Sequence, residues 1–253
     1  ITKQTYKNIE WIFVDDASTD STAEIIDLYI SKKHIKGCLI KNIENFGAGK
    51  SRNIGVKISK TKYISFMDSD DILIPYKYEK MMELAKRGGA NMVISGLVYL
   101  QQDNQKSREL FHFTDPGIMY MMEKKGTFEP EEFPELLNSC YLWNRIYDRE
   151  WYLEKNIKIP EGRKFAEDLL PCVMSTVLAK KISFITEPLS VYVQHRGSLT
   201  DGMNKSENKL DFIKAINETK QFLLSTGNYE WTKIEFLKFI CSIGFGLGMQ
   251  MKF

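Results

Sequence analysis

The sequence lacks several features that mark common classes of protein. It contains no apolar run of about 18 residues, the length that a membrane-spanning helix needs. Its four cysteines, Cys38, Cys140, Cys172 and Cys241, are far apart and form no Cys-x-x-Cys pair, which argues against zinc and dithiol redox sites. The formal net charge of +2 argues against a dedicated nucleic-acid-binding protein. No internal repeat or low-complexity segment is present.

What the sequence does contain is the composition of an ordinary globular protein. Hydrophobic residues make up 43% of the chain and charged residues 27%, which is enough apolar material for a sizeable core. A length of 253 residues suits one large domain, or one domain with an appendage. We expect the cysteines to be free thiols of a protein from a reducing compartment.

Residues 45–55, NFGAGKSRNIG, include the Gly-Lys-Ser that ends a phosphate-binding P-loop. That motif requires a first glycine five positions before the Gly-Lys pair. Position 44 instead holds Glu44, whose negative charge would repel phosphate. The spacing therefore argues against a nucleoside-triphosphate hydrolase, and the segment needs another explanation.

Strand-like and helix-like segments alternate through the first hundred residues. Ser21 and Glu24 fit a capping box at the start of the first helix. The alternation predicts an α/β fold with a mostly parallel sheet flanked by helices. Residues 181–200 are expected to form two short strands and a polar loop, and further helices are expected near the end of the chain. Short apolar runs predict strands at residues 11–14, 38–40, 63–67 and 92–100.

Acidic residues follow two of these predicted strands. Asp15 and Asp16 come after the first, and residues 68–71, Asp-Ser-Asp-Asp, come after the third. The carboxyl ends of parallel strands meet at one edge of a sheet, where ligands bind. Carboxylate oxygens there suit Mg²⁺ or Mn²⁺ that bridges substrate phosphates. Acidic turns that cap the following helices are the alternative explanation.

Two further polar groups have a catalytic and a structural interpretation. Glu167 and Asp168 open a predicted helix, whose N-terminus favours an ionised carboxylate and so suits a base at neutral pH. Simple helix capping is the alternative. His195 and Arg196 lie in a polar loop, where the histidine could bind a metal and the arginine a diphosphate. A solvated surface loop is the alternative for that pair.

Five segments, in order along residues 3–200, resemble the family-2 glycosyltransferases of the GT-A fold. In residues 45–55, Arg52, Asn53 and Gly55 match the family pattern, whereas Ser51 replaces its small alanine. This resemblance, rather than a P-loop, accounts for that segment. The other four segments are QTYKNIEWIFVDDASTDST at 4–22, YISFMDSDD at 63–71 with a DxD motif, WNRIYDREWYLEKNIKIPEGRKFAEDLL at 143–170, and EPLSVYVQHRGSLT at 187–200.

The resemblance implies a metal-dependent, inverting glycosyltransferase of the EC 2.4 type. Its donor would be a nucleotide-sugar, expected to be a UDP-sugar, and its cofactor Mn²⁺ or Mg²⁺. The acceptor would be a hydroxyl of a saccharide, or of a lipid-linked or protein-linked glycan, in bacterial cell-surface polysaccharide or glycoconjugate biosynthesis. The expected location is the cytoplasm or the inner face of the membrane, and no nucleic acid partner is expected. A nucleotidyltransferase and a degenerate nucleotide- or sugar-binding module are the alternatives.

The resemblance also implies roles for individual residues and a division of the chain. Asp168 would be the catalytic base. The nucleotide would be bound by Asp16, Arg52, Asp68 and Arg196, the metal by Asp70 and His195, and the acceptor or sugar by Trp143, Asn144 and Glu167. The glycosyltransferase domain would span residues 1–202, with a nucleotide-sugar-binding half at 1–100 and an acceptor-binding half at 101–202. Residues 203–253 would form a helical extension.

Two regions depart from the family pattern. The family begins with a strand that forms one wall of the nucleotide pocket, whereas this sequence is expected to open inside the helix that follows that strand. We expect that this first strand is missing from the sequence given; the alternative is a protein that has lost part of its donor site. The helical extension is expected to pack on the domain, with oligomer contacts and contact with a membrane surface as alternatives.

Overall fold

The computed structural model describes residues 1–101, 109–111, 116–194 and 206–246. The chain begins with a two-stranded parallel sheet, in which β1 (Trp11–Asp15) pairs with β2 (Gly37–Lys41). Helix α1 (Thr22–Lys33) connects these strands. Its predicted capping box is wrong, because the Ser21 side chain makes no cap bond; Asp20 accepts the Thr22 N–H at 3.0 Å instead.

A second sheet of seven strands forms the centre of the molecule. Its main order is β3-β8-β5-β9-β4, while β6 pairs with β5 and β7 with β9. The strands are β3 (Tyr63–Ser65), β4 (Ile72–Leu73), β5 (Met92–Gln101), β6 (Glu109–Phe111), β7 (Thr127–Phe128), β8 (Arg145–Asp148) and β9 (Ile182–Gln194).

The α/β architecture with a central sheet flanked by helices is confirmed, but the sheet is mixed rather than mostly parallel. β5 and β9 are parallel, whereas β8 runs antiparallel between β3 and β5. The pattern of the first hundred residues could not reveal this reversal, because β8 is contributed by the second half of the chain. The region predicted as two short strands is the single strand β9, which has register shifts opposite Gly96.

Seven further helices surround the sheets. The predicted helical segments are present, whereas α4 and two short 3₁₀ helices were not predicted. The helices are α2 (Ala48–Ile58), α3 (Lys77–Gly88), α4 (Pro116–Lys125), α5 (Arg149–Glu154), α6 (Leu169–Leu178), α7 (Ser206–Ser225) and α8 (Tyr229–Gly246), and the 3₁₀ helices are Pro130–Glu132 and Pro134–Asn138.

The helices α7 and α8 pack on the main core. Ala215 and Leu223 of α7 and Phe236 of α8 are buried in the same apolar cluster as residues of the central sheet. Of the alternatives for the C-terminal helices, packing on the domain is therefore observed in the described part of the chain. None of the helices in the described ranges is long and apolar enough to cross a membrane.

In the described residues, β1 and β3 each hydrogen-bond a neighbouring strand along only one of their two edges. β1 bonds β2 and β3 bonds β8, and within the described residues no strand pairs with their second edges. Residues of both strands line one cleft. Both strands thus face one cleft, and the expectation that a first strand is missing from the sequence given stays a prediction.

Helix α2 packs against the chain segment that leads to Glu167 and Asp168. At Gly49 a Cβ atom would lie 2.2 Å from the carbonyl oxygen of Pro160. Such a distance is far below van der Waals contact, so the close approach of helix and segment requires glycine at this position. A Cβ atom added at Gly55, on the same helix, would have its nearest neighbour, a methyl group of Val14, at 4.0 Å.

We therefore expect opposite effects from two alanine substitutions in α2. Gly49→Ala should lower the free energy of unfolding by about 1–3 kcal/mol, because the backbone at Pro160 must shift. Gly55→Ala should leave the free energy unchanged or raise it by up to about 1 kcal/mol, because alanine favours the helix. Urea denaturation of both variants checks this, and equal stabilities would contradict the packing described.

Candidate active site

A cleft of about 2090 Å³ runs from the carboxyl ends of β1 and β3 to helix α8. Asp16 lines it beyond β1, and Asp68 and Asp70 line it beyond β3. Glu167 and Asp168 line it from the start of α6. The carboxylates that the sequence analysis placed at one edge are thus brought into one cleft, together with the predicted base.

Trp143 reaches this cleft because β8 is reversed. A strand that runs against its neighbours begins at the edge where they end, and Trp143 lies just before β8. Its ring stacks on Tyr192 at a centroid distance of 5.9 Å and contacts Tyr141 at 5.3 Å. Trp143, Tyr141 and Tyr192 all line the cleft, and we call them the aromatic wall.

Asn144, predicted to shape the acceptor or sugar pocket, lies behind this wall. Its side chain is fully buried and donates from Nδ2 to the carbonyl oxygen of Ser95 at 3.0 Å. It is not among the residues that line the cleft. Its position fixes the start of β8 against β5, so its contact with the cleft is through Trp143.

Arg52 connects two of the carboxylates. Its Nη2 donates to Asp68 Oδ1 at 2.6 Å, and its Nη1 donates to Glu167 Oε1 at 2.8 Å. Desolvation opposes the charged guanidinium, but the charges of Asp68 and Glu167 outweigh it and raise the pKa of Arg52. Arg52 is therefore a permanent cation whose donors face carboxylates, and its predicted contact with a nucleotide stays a prediction.

Asp168 is a half-buried carboxyl at the start of α6. Desolvation raises its pKa to about 8, and the charge of Glu167 adds to this while Arg52 opposes it. The sequence analysis expected the helix N-terminus to keep this group ionised. The structure differs because its side chain makes no capping hydrogen bond and burial dominates. A carboxyl with a pKa near neutrality is well matched to proton transfer.

Asp16 holds the loop that precedes α2. Its carboxylate accepts hydrogen bonds from Asn42 Nδ2 at 2.7 Å, Phe46 N at 2.9 Å and Gly47 N at 2.7 Å. Desolvation alone would raise the pKa of Asp16, but these bonds lower it. The local acidic turn given as the alternative is formed by Asp15, whose carboxylate accepts from Ser18 N at 3.3 Å and Ser18 Oγ at 2.5 Å. The contact with a base or ribose predicted for Asp16 stays a prediction.

The last residue of the Asp-Ser-Asp-Asp segment points away from solvent. Asp71 is buried and accepts the Val193 N–H at 3.1 Å, and desolvation raises its pKa to about 7.

Lys77 is fully buried nearby and donates to the Trp143 carbonyl at 2.6 Å and to Ser190 Oγ at 2.8 Å. Desolvation lowers its pKa to about 7, against the charge of Asp71. Lys77 therefore links the start of α3 to the aromatic wall and to β9.

The sequence analysis missed Lys77. A signal was present, because a lysine in the first turn of a helix opposes the helix dipole. A lysine at this position therefore needs a compensating interaction. Here the Trp143 carbonyl oxygen and Ser190 Oγ accept hydrogen bonds from its buried ammonium group.

The donor set of the cleft fits a hard divalent cation that also binds substrate. Asp70 is exposed at the cleft, and Asp68 offers the oxygen that does not accept from Arg52. The described ranges contain no group of three or more side chains arranged to hold a metal ion. Mg²⁺ is commonly bound by one or two carboxylates together with substrate phosphates, which is what Asp68 and Asp70 could provide. His195 and Arg196 lie outside the described residues.

Asn53, in the segment that resembles a P-loop, has a structural role. Its Nδ2 donates to the Ile159 carbonyl at 2.8 Å, and its Oδ1 accepts the Ile159 N–H at 3.1 Å. This two-way contact and the close approach at Gly49 hold α2 against residues 159–160. The same helix carries Arg52, so residues 45–55 position the two sides of the cleft relative to each other.

The fold and this cleft define an α/β domain whose acidic site lies at the ends of its strands. The profile of "Glycosyl transferase family 2" matches residues 1–154, and the chain belongs to this family. This membership favours the glycosyltransferase interpretation over a nucleotidyltransferase.

Curated relatives are similar over most of this chain. Glycosyltransferase GlyG of Streptococcus pneumoniae is 28% identical over 207 residues, which are 79% of this chain and 65% of the relative. The succinoglycan biosynthesis protein ExoO of Rhizobium meliloti is 25% identical over 82% of this chain and 57% of the relative. The chain thus spans less than two thirds of the length of these relatives.

Solved structures share the fold. The structure of S. aureus TarS 1-349 in complex with UDP-GlcNAc has a TM-score of 0.78 and 20% sequence identity, covering 99% of this chain and 70% of that one. The complex of the same protein with UDP has a TM-score of 0.73 and 19% identity, covering 99% of this chain and 69% of that one. At 19–20% sequence identity, this similarity establishes that the chain shares the fold of these structures.

We expect Asn53→Ala to lower the free energy of unfolding by about 1–3 kcal/mol, because two backbone groups of Ile159 lose their partner. Asn53→Asp should destabilise more at neutral pH, because its charged oxygen would face the Ile159 carbonyl. Acidification should recover part of that loss as the new carboxyl is protonated. Chemical denaturation at pH 4 and pH 7 checks this, and pH-independent stability of Asn53→Asp relative to wild type would contradict it.

Proposed function

We propose that this chain transfers a sugar from a nucleotide-sugar, of the UDP-sugar class, to a hydroxyl of a saccharide acceptor with inversion of configuration. The observation that carries the proposal is Asp168, a carboxyl with a pKa near neutrality that lies in a cleft beside Glu167, Arg52 and Asp68. Family membership supports the reaction class. The UDP and UDP-GlcNAc complexes of TarS support the donor class, and the succinoglycan biosynthesis protein supports a role in cell-surface polysaccharide assembly.

In this proposal Asp168 is the general base. Its carboxylate accepts the proton of the acceptor hydroxyl while that oxygen forms a bond to the anomeric carbon of the donor sugar. The bond from the anomeric carbon to the diphosphate breaks in the same step, and the nucleoside diphosphate leaves with the bonding electrons. Attack from the face opposite the leaving group inverts the configuration at that carbon.

The neighbours of Asp168 set its basicity and position. Glu167 raises the pKa of Asp168 through its negative charge, and Arg52 opposes this effect. Because Arg52 also bonds Asp68, the base side and the donor side of the cleft are held at a fixed separation. Fixed alignment of donor and acceptor supplies a large part of the rate in such reactions.

Asp70 and Asp68 would hold a divalent cation, Mn²⁺ or Mg²⁺, on the donor side. When bound, the cation would neutralise the charge that develops on the leaving diphosphate. Trp143 and Glu167 would border the sugar between the donor side and Asp168, since both line the cleft.

The first test is calorimetric titration with UDP, GDP, dTDP and ATP, each with and without Mn²⁺. We expect UDP to bind with a requirement for Mn²⁺, and Asp70→Ala to weaken binding at least about tenfold through loss of a charged metal ligand. Glu24→Ala is the matched control, because Glu24 is an exposed carboxylate of α1 outside the cleft. Metal-independent UDP binding would overturn the metal site. No nucleotide binding, either by this chain or by the chain extended with an N-terminal strand, would favour the degenerate binding module.

A second test concerns the base. Asp168→Asn should abolish transfer to a hydroxyl acceptor and leave UDP binding within about twofold of wild type, because asparagine cannot accept the proton. Radiolabelled donor turnover and calorimetry measure the two properties. Full transfer by Asp168→Asn would remove Asp168 from the base role.

The same variant tests the raised pKa. Folding raises the pKa of Asp168 from 3.8 to about 8, so the folded state loses stability through this group as the pH rises across that window. Asp168→Asn has no such group, and we expect its free energy of unfolding relative to wild type to increase from pH 4 to pH 8. A constant difference across this range would contradict the pKa shift.

A further inference from the structure

The end of the cleft beside α8 has a polar surface with no role in the chemistry described above. Glu235 and Lys238 of α8 line it, as do Glu135 and Asn138 of the 3₁₀ helix Pro134–Asn138. Helix α8 lies outside residues 1–154, the part of the chain that matches the family profile. The surface thus combines residues inside the matched range, Glu135 and Asn138, with residues of α8 outside it.

Glu235 is the centre of the surface. Its carboxylate accepts from Asn138 Nδ2 at 2.7 Å and from Lys238 Nζ at 2.6 Å. The residue is only 6% exposed, so the position of its carboxylate is fixed by the surrounding protein. A carboxylate has room for about four hydrogen bonds, so two remain for a ligand. We call Glu235, Asn138 and Lys238 the α8 cluster.

The α8 cluster lies on the same side of the cleft as Asp168. The 3₁₀ helix that carries Asn138 packs against α6, which begins after Asp168. Cys140 follows Asn138 closely and also lines the cleft. Desolvation raises the pKa of the Cys140 thiol, and the nearby Cys172 and Asp168 contribute to the same shift. A ligand at the α8 cluster would therefore lie on the side of the cleft that carries the proposed base.

Charge and shape identify the class of ligand. Glu135 and Glu235 place two carboxylates beside one ammonium group, so a diphosphate would be repelled from this end. Fixed carboxylate, amide and ammonium groups are suited to the hydroxyls of a neutral sugar. Phe239 and the aromatic wall line the same cleft and offer apolar faces for the C–H surfaces of sugar rings.

We propose that the α8 cluster is a subsite for a neutral, hydroxyl-rich saccharide and thereby selects the acceptor. The inference deepens the proposed function, since it places the acceptor on the α8 side of Asp168. Glu235 accepts hydrogen bonds from sugar hydroxyls, Asn138 and Lys238 donate to them, and the aromatic wall covers the next ring toward Asp168.

The test is saccharide binding to the whole chain by saturation-transfer NMR, with lactose, maltose, cellobiose and chitobiose as probes. Glu235→Gln keeps the shape of the side chain and an acceptor for Asn138 but removes the charge. We expect it to weaken binding of the saccharide that wild type binds by at least about tenfold. UDP binding should be unchanged, and thermal unfolding should show a cooperative transition that confirms a folded variant.

Glu230→Gln is the matched control. Glu230 lies on the same helix and also pairs with the lysine three residues later, Lys233, at 2.6 Å. It does not line the cleft, so its substitution should leave saccharide binding unchanged. Glu230 is exposed whereas Glu235 is buried, so this variant controls for loss of a Glu–Lys pair in α8, and the thermal unfolding of Glu235→Gln controls for the effect of burial.

The outcomes separate the two proposals. Failure of all four saccharides to bind wild type, or equal binding by wild type and Glu235→Gln, would overturn the subsite. Absence of UDP binding, both to wild type and to the chain extended with an N-terminal strand, would overturn the proposed transferase, while a saccharide that depends on Glu235 would still support the subsite.

Discussion

The fork of hydrogen bonds from Arg52 holds the site together. One guanidinium joins helix α2, the end of β3 and the segment before α6, through Asp68 and Glu167. Without it, the carboxylates of Asp68, Glu167 and Asp168 would share one cleft with no compensating cation in contact among the residues that the structure describes. The three ion-pairing side chains keep 17–28% of their surface exposed, so their desolvation cost is smaller than that of a fully buried pair. The planar, two-armed geometry makes arginine, rather than lysine, suited to this position.

The geometry of the cleft depends equally on the reversal of β8. The alternation in the first hundred residues was enough to predict an α/β fold and carboxylates at one sheet edge, because strand ends and acidic residues are local in sequence. The reversed strand was not predictable in the same way, since its position between β3 and β5 is set by pairing across about 50 to 80 residues of chain.

Contacts between distant segments account for the remaining surprises. Lys77 bonds residues 66 and 113 positions away, and Asn53 bonds a residue 106 positions away. Nothing local in the sequence distinguishes these side chains from surface residues of helices. Only the conflict between Lys77 and the helix dipole was visible beforehand. Asp16 belongs to the same class, because its three hydrogen bonds come from residues 26, 30 and 31 positions away.

Two aspartates at helix starts show how the site departs from the rules of stability. Asp148 begins α5 and accepts the Trp151 N–H at 3.0 Å, a capping bond of the kind that contributes about 1 kcal/mol. Asp168 occupies the same position on α6, yet its side chain makes no capping bond and burial raises its pKa to about 8. The fold therefore forgoes a stabilising cap and retains a carboxyl that is costly to ionise. Such a cost is expected where a group serves chemistry rather than folding, and this argument singles out Asp168 among the carboxylates of the cleft.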